Sequence, residues 1–402
     1  MLKKVLFSFQ ANFLVAILSL VLTLATAKFL GAYGRGYLSI FVSYIAILQL
    51  ISEIFGAGIV FFLIKKYHIN EICIISYLWF LMISLFGTAL FVGLKLVESD
   101  YGILFFFYAL SSSIFILNGR FLINKLNLFW HNLIIILQPL AVIIILSIIG
   151  WNHFNIHDYL LYQVFSYSTL NLFAIILLRQ EIFKKIRMNM IPSLIKESLK
   201  LGTTSQLSNL TQTINYRLSY FYIQKFAGLN SVGIFSLVMS VCNVIWIFAV
   251  SVGTLISNET TKLPESNTKV IKLTDKYLML SVFVTILMII GVFIFPNKYF
   301  ITLLNKDFSN IKFYLMLMSP AIVFFSFAKV LAFYFSGIGK IKFNLIASFS
   351  GVLPSIILGW FLIKRFGIYG SILSTSISLI LTAGVLIYFY FQERRDNNQI
   401  IS

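Results

Sequence analysis

The sequence predicts an all-α, polytopic membrane protein of about 12 transmembrane helices in two parallel six-helix lobes. Three observations carry that reading. The 402 residues are 59% hydrophobic and 11% charged, with a mean hydropathy of +0.94, where a soluble domain is about a quarter charged. Apolar runs of about 20 residues, the length that crosses a bilayer as a helix, recur along the whole chain. Finally, the chain resembles itself after a shift of 197 residues. Strands of a membrane barrel would alternate apolar and polar residues, which runs such as IIILQPLAVIIILSII do not.

Taken in order, the spanning segments begin near Ser8, Ser39, Ile72, Gly102, Leu128 and Tyr159, and again near Leu201, Val232, Tyr277, Phe313, Phe343 and Ile368. Pro139, Pro320 and Pro354 interrupt the fifth, tenth and eleventh of these, where a missing N–H is expected to kink the helix. Connections are short, so no soluble domain of ordinary size fits between helices. Residues 1–185 are expected to form the N-terminal lobe, 186–200 a cytoplasmic amphipathic connector and 201–402 the C-terminal lobe. Within the stretch RQEIFKKIRMNMIPSLIKESLK, cations mixed with Ile, Phe, Met and Leu suit a helix lying on the inner leaflet; a solvated linker is the alternative.

Charge sets the orientation. With a cytoplasmic N-terminus, 20 of the 31 Lys and Arg fall on the inner side and 9 on the outer, and two, Arg217 and Lys329, lie within apolar segments. Both termini are therefore expected in the cytoplasm. Cysteines placed singly at Asn155 and Asn310 should label from outside, and at Asn189 and Asn267 from inside; inside labelling of Asn155 would overturn the assignment. The excess of cations suits anionic lipid or an anionic substrate. Without a soluble fold to carry a basic patch, it does not indicate nucleic acid. Cys73 and Cys242 lie in apolar runs and make no disulfide framework. His153 and His157, four apart beside Asp158, lack a third strong ligand, so no metal and no cofactor is expected.

The repeat settles two local questions. KFLGAYGRGYLSIFVS at Lys28 aligns with KFAGLNSVGIFSLVMS at Lys225, and 11 of the 52 positions from Ser8 to Ile59 are identical to those 197 residues on. Lys3, Lys4 and the Ala25-Thr26-Ala27 stretch look like a secretory signal with its cleavage site, yet a signal has no reason to recur in mid-chain, so the first helix is expected to be retained. The glycines Gly31, Gly34 and Gly36 look like a phosphate loop, but both flanks are spanning helices and the second copy keeps only Gly228 and Gly233. A tight outer helix-to-helix turn needing positive φ is the expectation, with Lys28 and Lys225 as a cationic rim.

Two parallel six-helix repeats are a transporter plan. On the seventh helix, Ser205, Gln206, Asn209, Gln212, Thr213, Tyr216, Arg217 and Tyr220 recur at three- and four-residue steps; Asn12 belongs to a weaker stripe on the first. These would line a cavity whose amide, hydroxyl and aromatic groups suit sugars, or else would hydrogen-bond helix to helix. Intramembrane charges are costly and mark function. Arg217, Lys329, Arg120 and Lys28 outnumber the acid Glu53, which favours a phosphate or diphosphate substrate. Lys329 has snorkelling to the headgroups as its alternative. Glu53 is read either as a proton- or cation-coupling carboxylate or as the partner of one of these cations.

LGAYGRGYLSIF, the run LGTTSQLSNLTQTINYRLSYFYIQKFAGLNSVGIFSL, and FYFSGIGKIKFN followed by FLIKRFGIYGSILSTSIS resemble the Wzx-type polysaccharide flippases of the multidrug/oligosaccharidyl-lipid/polysaccharide exporter superfamily. The resemblance implies a multi-pass protein of the bacterial cytoplasmic membrane that is not an enzyme. It would flip undecaprenyl-diphosphate-linked oligosaccharides for O-antigen (lipopolysaccharide), capsule or exopolysaccharide synthesis, with membrane lipids and the pathway's polymerase and chain-length proteins as partners. The family's seventh helix often reads Arg-x-Asp, whereas here Leu218 and Ser219 follow Arg217. Two alternatives come from other classes. A multidrug/cation antiporter of the superfamily would carry an acid in the first helix, and a membrane polysaccharide polymerase or ligase would need a sizeable outer loop.

Overall fold

The computed structural model describes residues 2–56, 58–184, 186–260 and 268–399; Asn267 and the side chains of Gln212 and Tyr216 lie outside the described residues. Among these the chain is helical, with no strand. In order the helices are α1 (Leu2–Ser52), α2 (Val60–Leu63), α3 (Ile69–Gly93), α4 (Gly102–Lys125), α5 (Leu128–Ile149), α6 (Ile156–Leu177) and α7 (Arg179–Ile182). They continue with α8 (Ile191–Thr260), α9 (Thr268–Ile294), α10 (Asn297–Leu303), α11 (Ile311–Gly337), α12 (Ile341–Phe366) and α13 (Ile368–Gln399). Ten spans among the described residues are long and apolar enough to cross a membrane.

Two of these ten contain a break. At 51 residues, α1 would be about 77 Å long if straight, more than twice the ~30 Å hydrocarbon core. It is divided at Gly31 (φ 69, ψ −173), and α8 is divided in the same way at Gly228 (φ 79, ψ 171). That backbone region is open essentially to glycine alone. The two breaks stand 197 residues apart, so the sequence repeat is also a repeat of backbone conformation. Counting each broken span as two gives the twelve helical segments expected. One glycine makes each turn; Gly34 and Gly36 are already helical.

The chain forms two compact units, residues 1–22 with 40–213, and residues 23–39 with 214–402. The grouping has local causes. In the first unit, residues 201–213 are held because Gly202 lies against the backbone of the α1 end: a β-carbon there would sit 1.9 Å from the Ile54 carbonyl oxygen. Gln206 Nε2 also donates to the Glu53 carbonyl at 3.4 Å. In the second unit, residues 23–39 are held by the contact of Gly36 with the start of the second half of α8. A β-carbon on Gly36 would lie 2.0 Å from the Leu229 oxygen, and one on Gly233 would lie 2.0 Å from the Ala32 oxygen. Leu229 and Gly233 are the repeat equivalents of Ala32 and Gly36. The contact is thus reciprocal, as a two-fold relation requires. Asp307 adds a cap from far along the chain, its Oδ2 accepting the Ala32 N–H at 3.1 Å where the new helix leaves donors unsatisfied.

Inside the first unit, α4 packs on α3, α5 and α6 over a core that includes Phe80, Phe115, Phe121, Ile134 and Leu170. A buried polar chain links the same helices. The Tyr77 hydroxyl donates to Asn118, Asn118 Nδ2 to Asn171 Oδ1 at 3.2 Å, and Asn171 Nδ2 to the Ser111 carbonyl at 2.8 Å. In the second unit α13 packs on both α11 and α12. Pro139, Pro320 and Pro354 lie inside α5, α11 and α12. The helix continues past Pro320 with help: the Ser319 hydroxyl donates at 2.7 Å to the Met316 carbonyl, the acceptor whose usual donor proline removes.

The segment after α7 is fastened rather than loose. Glu71, fully buried, receives the Arg187 guanidinium on both oxygens, at 2.7 and 2.9 Å. Asn70 Nδ2 donates to the Lys184 carbonyl at 2.6 Å, the Tyr67 hydroxyl to Ser193 at 3.2 Å, and Lys66 pairs with Glu197. From Ile191 the chain enters α8 directly. Arg187→Ala should therefore lower the thermal midpoint, because it strands a buried carboxylate. Adding Glu71→Gln to that variant should recover part of the loss; if the double variant is no more stable, the pair is not what anchors the segment.

Candidate functional site

In the second unit Arg217 lies on a spanning helix. It stands eleven residues before the Gly228 break, so about 16 Å along the helix from that end and near the middle of a ~30 Å core. Its guanidinium lies 5.7 Å from the ring centroid of Tyr220. Tyr220 is buried and meets Phe235 edge-on at 5.3 Å. A second half-buried cation of this unit, Arg35, is held by hydroxyl groups. Arg35 Nε donates to Ser236 Oγ at 3.1 Å, Nη1 to Thr26 Oγ1 at 3.4 Å and Nη2 to Ser240 Oγ at 3.5 Å. A guanidinium is a planar fork of donors, the geometry that matches phosphate oxygens.

Sequence reasoning missed Arg35 by counting it with a three-glycine turn. Because Gly31 alone makes that turn, Arg35 is a full helical turn inside the second spanning segment. A signal was present: the repeat equivalent of Arg35 is Val232, so a charge occupies a position that is apolar in the other copy.

The other expected residues of this unit sit apart from that pair in character. Lys28 is exposed beside Gly31, its Nζ 5.5 Å from the Phe29 ring. Its repeat partner Lys225 lies 5.6 Å from the Phe226 ring and 4.8 Å from Trp360. Lys329, half-buried on α11, has its Nζ 5.1 Å from the Phe325 ring. Ser219, at the place where the resembled family often carries an acid, is buried with its hydroxyl 3.2 Å from Thr375 Oγ1 on α13.

In the first unit, Asn209 Nδ2 donates to Gln206 Oε1 at 3.1 Å, joining the chain from Gln206 to the Glu53 carbonyl. Glu53 opens a 3-10 turn, Glu53–Phe55, at the end of α1, about 33 Å along the helix from Gly31 and so a full membrane thickness away. Arg120 is near the end of α4 with its guanidinium 5.8 Å from the Phe61 ring. Asn12 is exposed. Among the described residues, no group of three His, Cys, Asp or Glu could hold a metal ion.

No protein-family model and no curated protein matches the chain. Solved structures do. A multidrug resistance MATE family transporter of the MOP superfamily, in its inward-facing conformation, matches with a TM-score of 0.66 at 14% identity over 97% of this chain and 94% of that one. The lipid II flippase MurJ, inward closed, matches with a TM-score of 0.66 at 19% identity, covering 95% of this chain and 87% of that one. The chain shares the fold of these two transporters. An outward-facing MATE family transporter matches as well, with a TM-score of 0.62 at 14% identity over 99% and 96% of the two chains.

Proposed function

We propose that the protein is a lipid-linked oligosaccharide flippase, moving undecaprenyl-diphosphate-linked repeat units across the bacterial cytoplasmic membrane by alternating access for surface polysaccharide biosynthesis. The observation that supports it most is the guanidinium of Arg217, half-buried on a membrane-spanning helix 5.7 Å from the ring of the buried Tyr220. A charge there costs about 2.5–3.5 kcal/mol on insertion scales and is offset when a multivalent anion occupies the site. Arg217 would grip two diphosphate oxygens, Lys329 and Lys28 of the same unit would extend the cationic path, and Tyr220 would meet the sugars. That one solved neighbour is a lipid II flippase supports the same substrate class.

Both termini would be cytoplasmic, with Glu53 the candidate for ion coupling. The multidrug/cation antiporter is the competing reading. It wants an acid on the first helix to bind a cation, and residues 2–30 contain none. Complementation of flippase-deficient strains bearing different surface glycans tests the proposal. Restoration in one of them is the expected result, and failure in all of them despite good expression overturns it.

A further inference from the structure

The 191–200 stretch of α8 has three faces. Leu194 and Ser198 are buried and, with Gly202 against Ile54, fix it to the first unit. Ile195 and Leu199, one turn apart, are exposed. Lys196 and Lys200, exposed as well, form the stripe beside them. An exposed apolar stripe next to a lysine stripe is the pattern of a helix lying in a lipid interface.

The neighbouring segments repeat this chemistry. Phe183 is 78% and Met188 71% exposed, on either side of the Glu71–Arg187 clamp. The acids of this region are already engaged. Glu181 pairs with Lys184 and Lys125, and hydrogen bonding from Lys184 holds its carboxyl below the usual range. Glu197 is held low by Lys66 in the same way, and Glu71 is taken by Arg187. The cations Lys65, Arg179 and Lys196 are left exposed with no carboxylate partner among the described residues. The surplus is positive, and it stands among large exposed apolar side chains.

We propose that this face, made by Lys65, Arg179 and Lys196 around Phe183, Met188, Ile195 and Leu199, is a docking surface for anionic phospholipid headgroups. The lysine and arginine heads take the phosphates and the apolar side chains enter the acyl boundary. Because four contacts tie the segment to residues 66–71, bound lipid anchors the first unit itself. The inference requires only that the helices span a membrane, and it stands or falls apart from the transported substrate.

The test uses the purified full chain in neutral detergent, titrated with phosphatidylglycerol or phosphatidylcholine and read by native mass spectrometry and thermal midpoint. The wild type should prefer phosphatidylglycerol by about tenfold or more. Lys65→Gln/Arg179→Gln/Lys196→Gln should lose that preference with its lipid-free midpoint unchanged. The charge-preserving Lys65→Arg/Lys196→Arg variant should keep it, as should Lys342→Gln/Lys364→Gln/Arg365→Gln, which removes three cations from the second unit. A preference that survives the first variant, or is lost equally in the last, overturns the proposal. If free glycerol phosphate raises the midpoint as much as phosphatidylglycerol does, the ligand is a soluble phosphate and the lipid surface is refuted.

Discussion

If the proposed function is right, Arg217→Ala should abolish glycan export while folded protein stays in the membrane. The guanidinium lies half-buried beside Tyr220, and its planar fork would hold two oxygens of one diphosphate at once. Removing one side of such a charged contact costs about 2–5 kcal/mol, about 30-fold or more in binding. Arg217→Lys keeps the charge without the fork and retains part of the export. The measurement is surface glycan normalised to folded protein, with lipid-linked repeat units accumulating on the cytoplasmic side. If export falls only as folded protein falls, the arginine is structural. Normal export by well-folded Arg217→Ala shows that the diphosphate is held elsewhere, with Lys329 and Arg120 the next candidates.

Gly36→Ala and Gly233→Ala each lower the thermal midpoint, and together they lower it further. Each new methyl lands about as far from a backbone carbonyl oxygen as a hydrogen atom should, 2.0 Å, and a backbone has no rotamer by which to escape. The two helices must move apart, at a cost of about 1–3 kcal/mol per site by the usual scale of overpacking. Gly291→Ala and Gly384→Ala are the controls. Nothing lies within 4 Å of a β-carbon at either, so helix propensity should stabilise both by about 0.5–1 kcal/mol. A midpoint unchanged in Gly36→Ala would mean that the helices do not touch there in solution.

The helices were legible because length and hydropathy alone define a membrane span: α4, α5 and α13 begin at the very residues that the apolar runs mark, Gly102, Leu128 and Ile368. The positive-φ turn was legible too, since Gly31 and Gly228 are among the glycines that both repeat copies share. The sequence did not show that the turn needs only one residue, and this hid Arg35. Nor did it show Glu71 beneath Arg187, because 116 residues separate them and no local pattern pairs an acid at a helix start with a distant cation. For Gln206 and Asn209 the spacing leaves both a cavity lining and helix-to-helix hydrogen bonding open; in the structure they bond to each other, and Gln206 to the Glu53 carbonyl. Helical spacing fixes which face a side chain shares but not what that face meets.

Asp307 caps Ala32 after the first turn, while the space beside Gly228 holds nothing within 4 Å. The two halves, for all their shared ancestry in pattern, have therefore stopped being interchangeable. A chain fused from two copies of the second half would repeat the glycine turns and the reciprocal glycine contact. It would put Val232 and Leu229 where Arg35 and Ala32 now stand, and so would lose one of the two guanidiniums. The repeat sets the frame, and the positions at which its copies differ, Arg35 among them, make the two halves unlike.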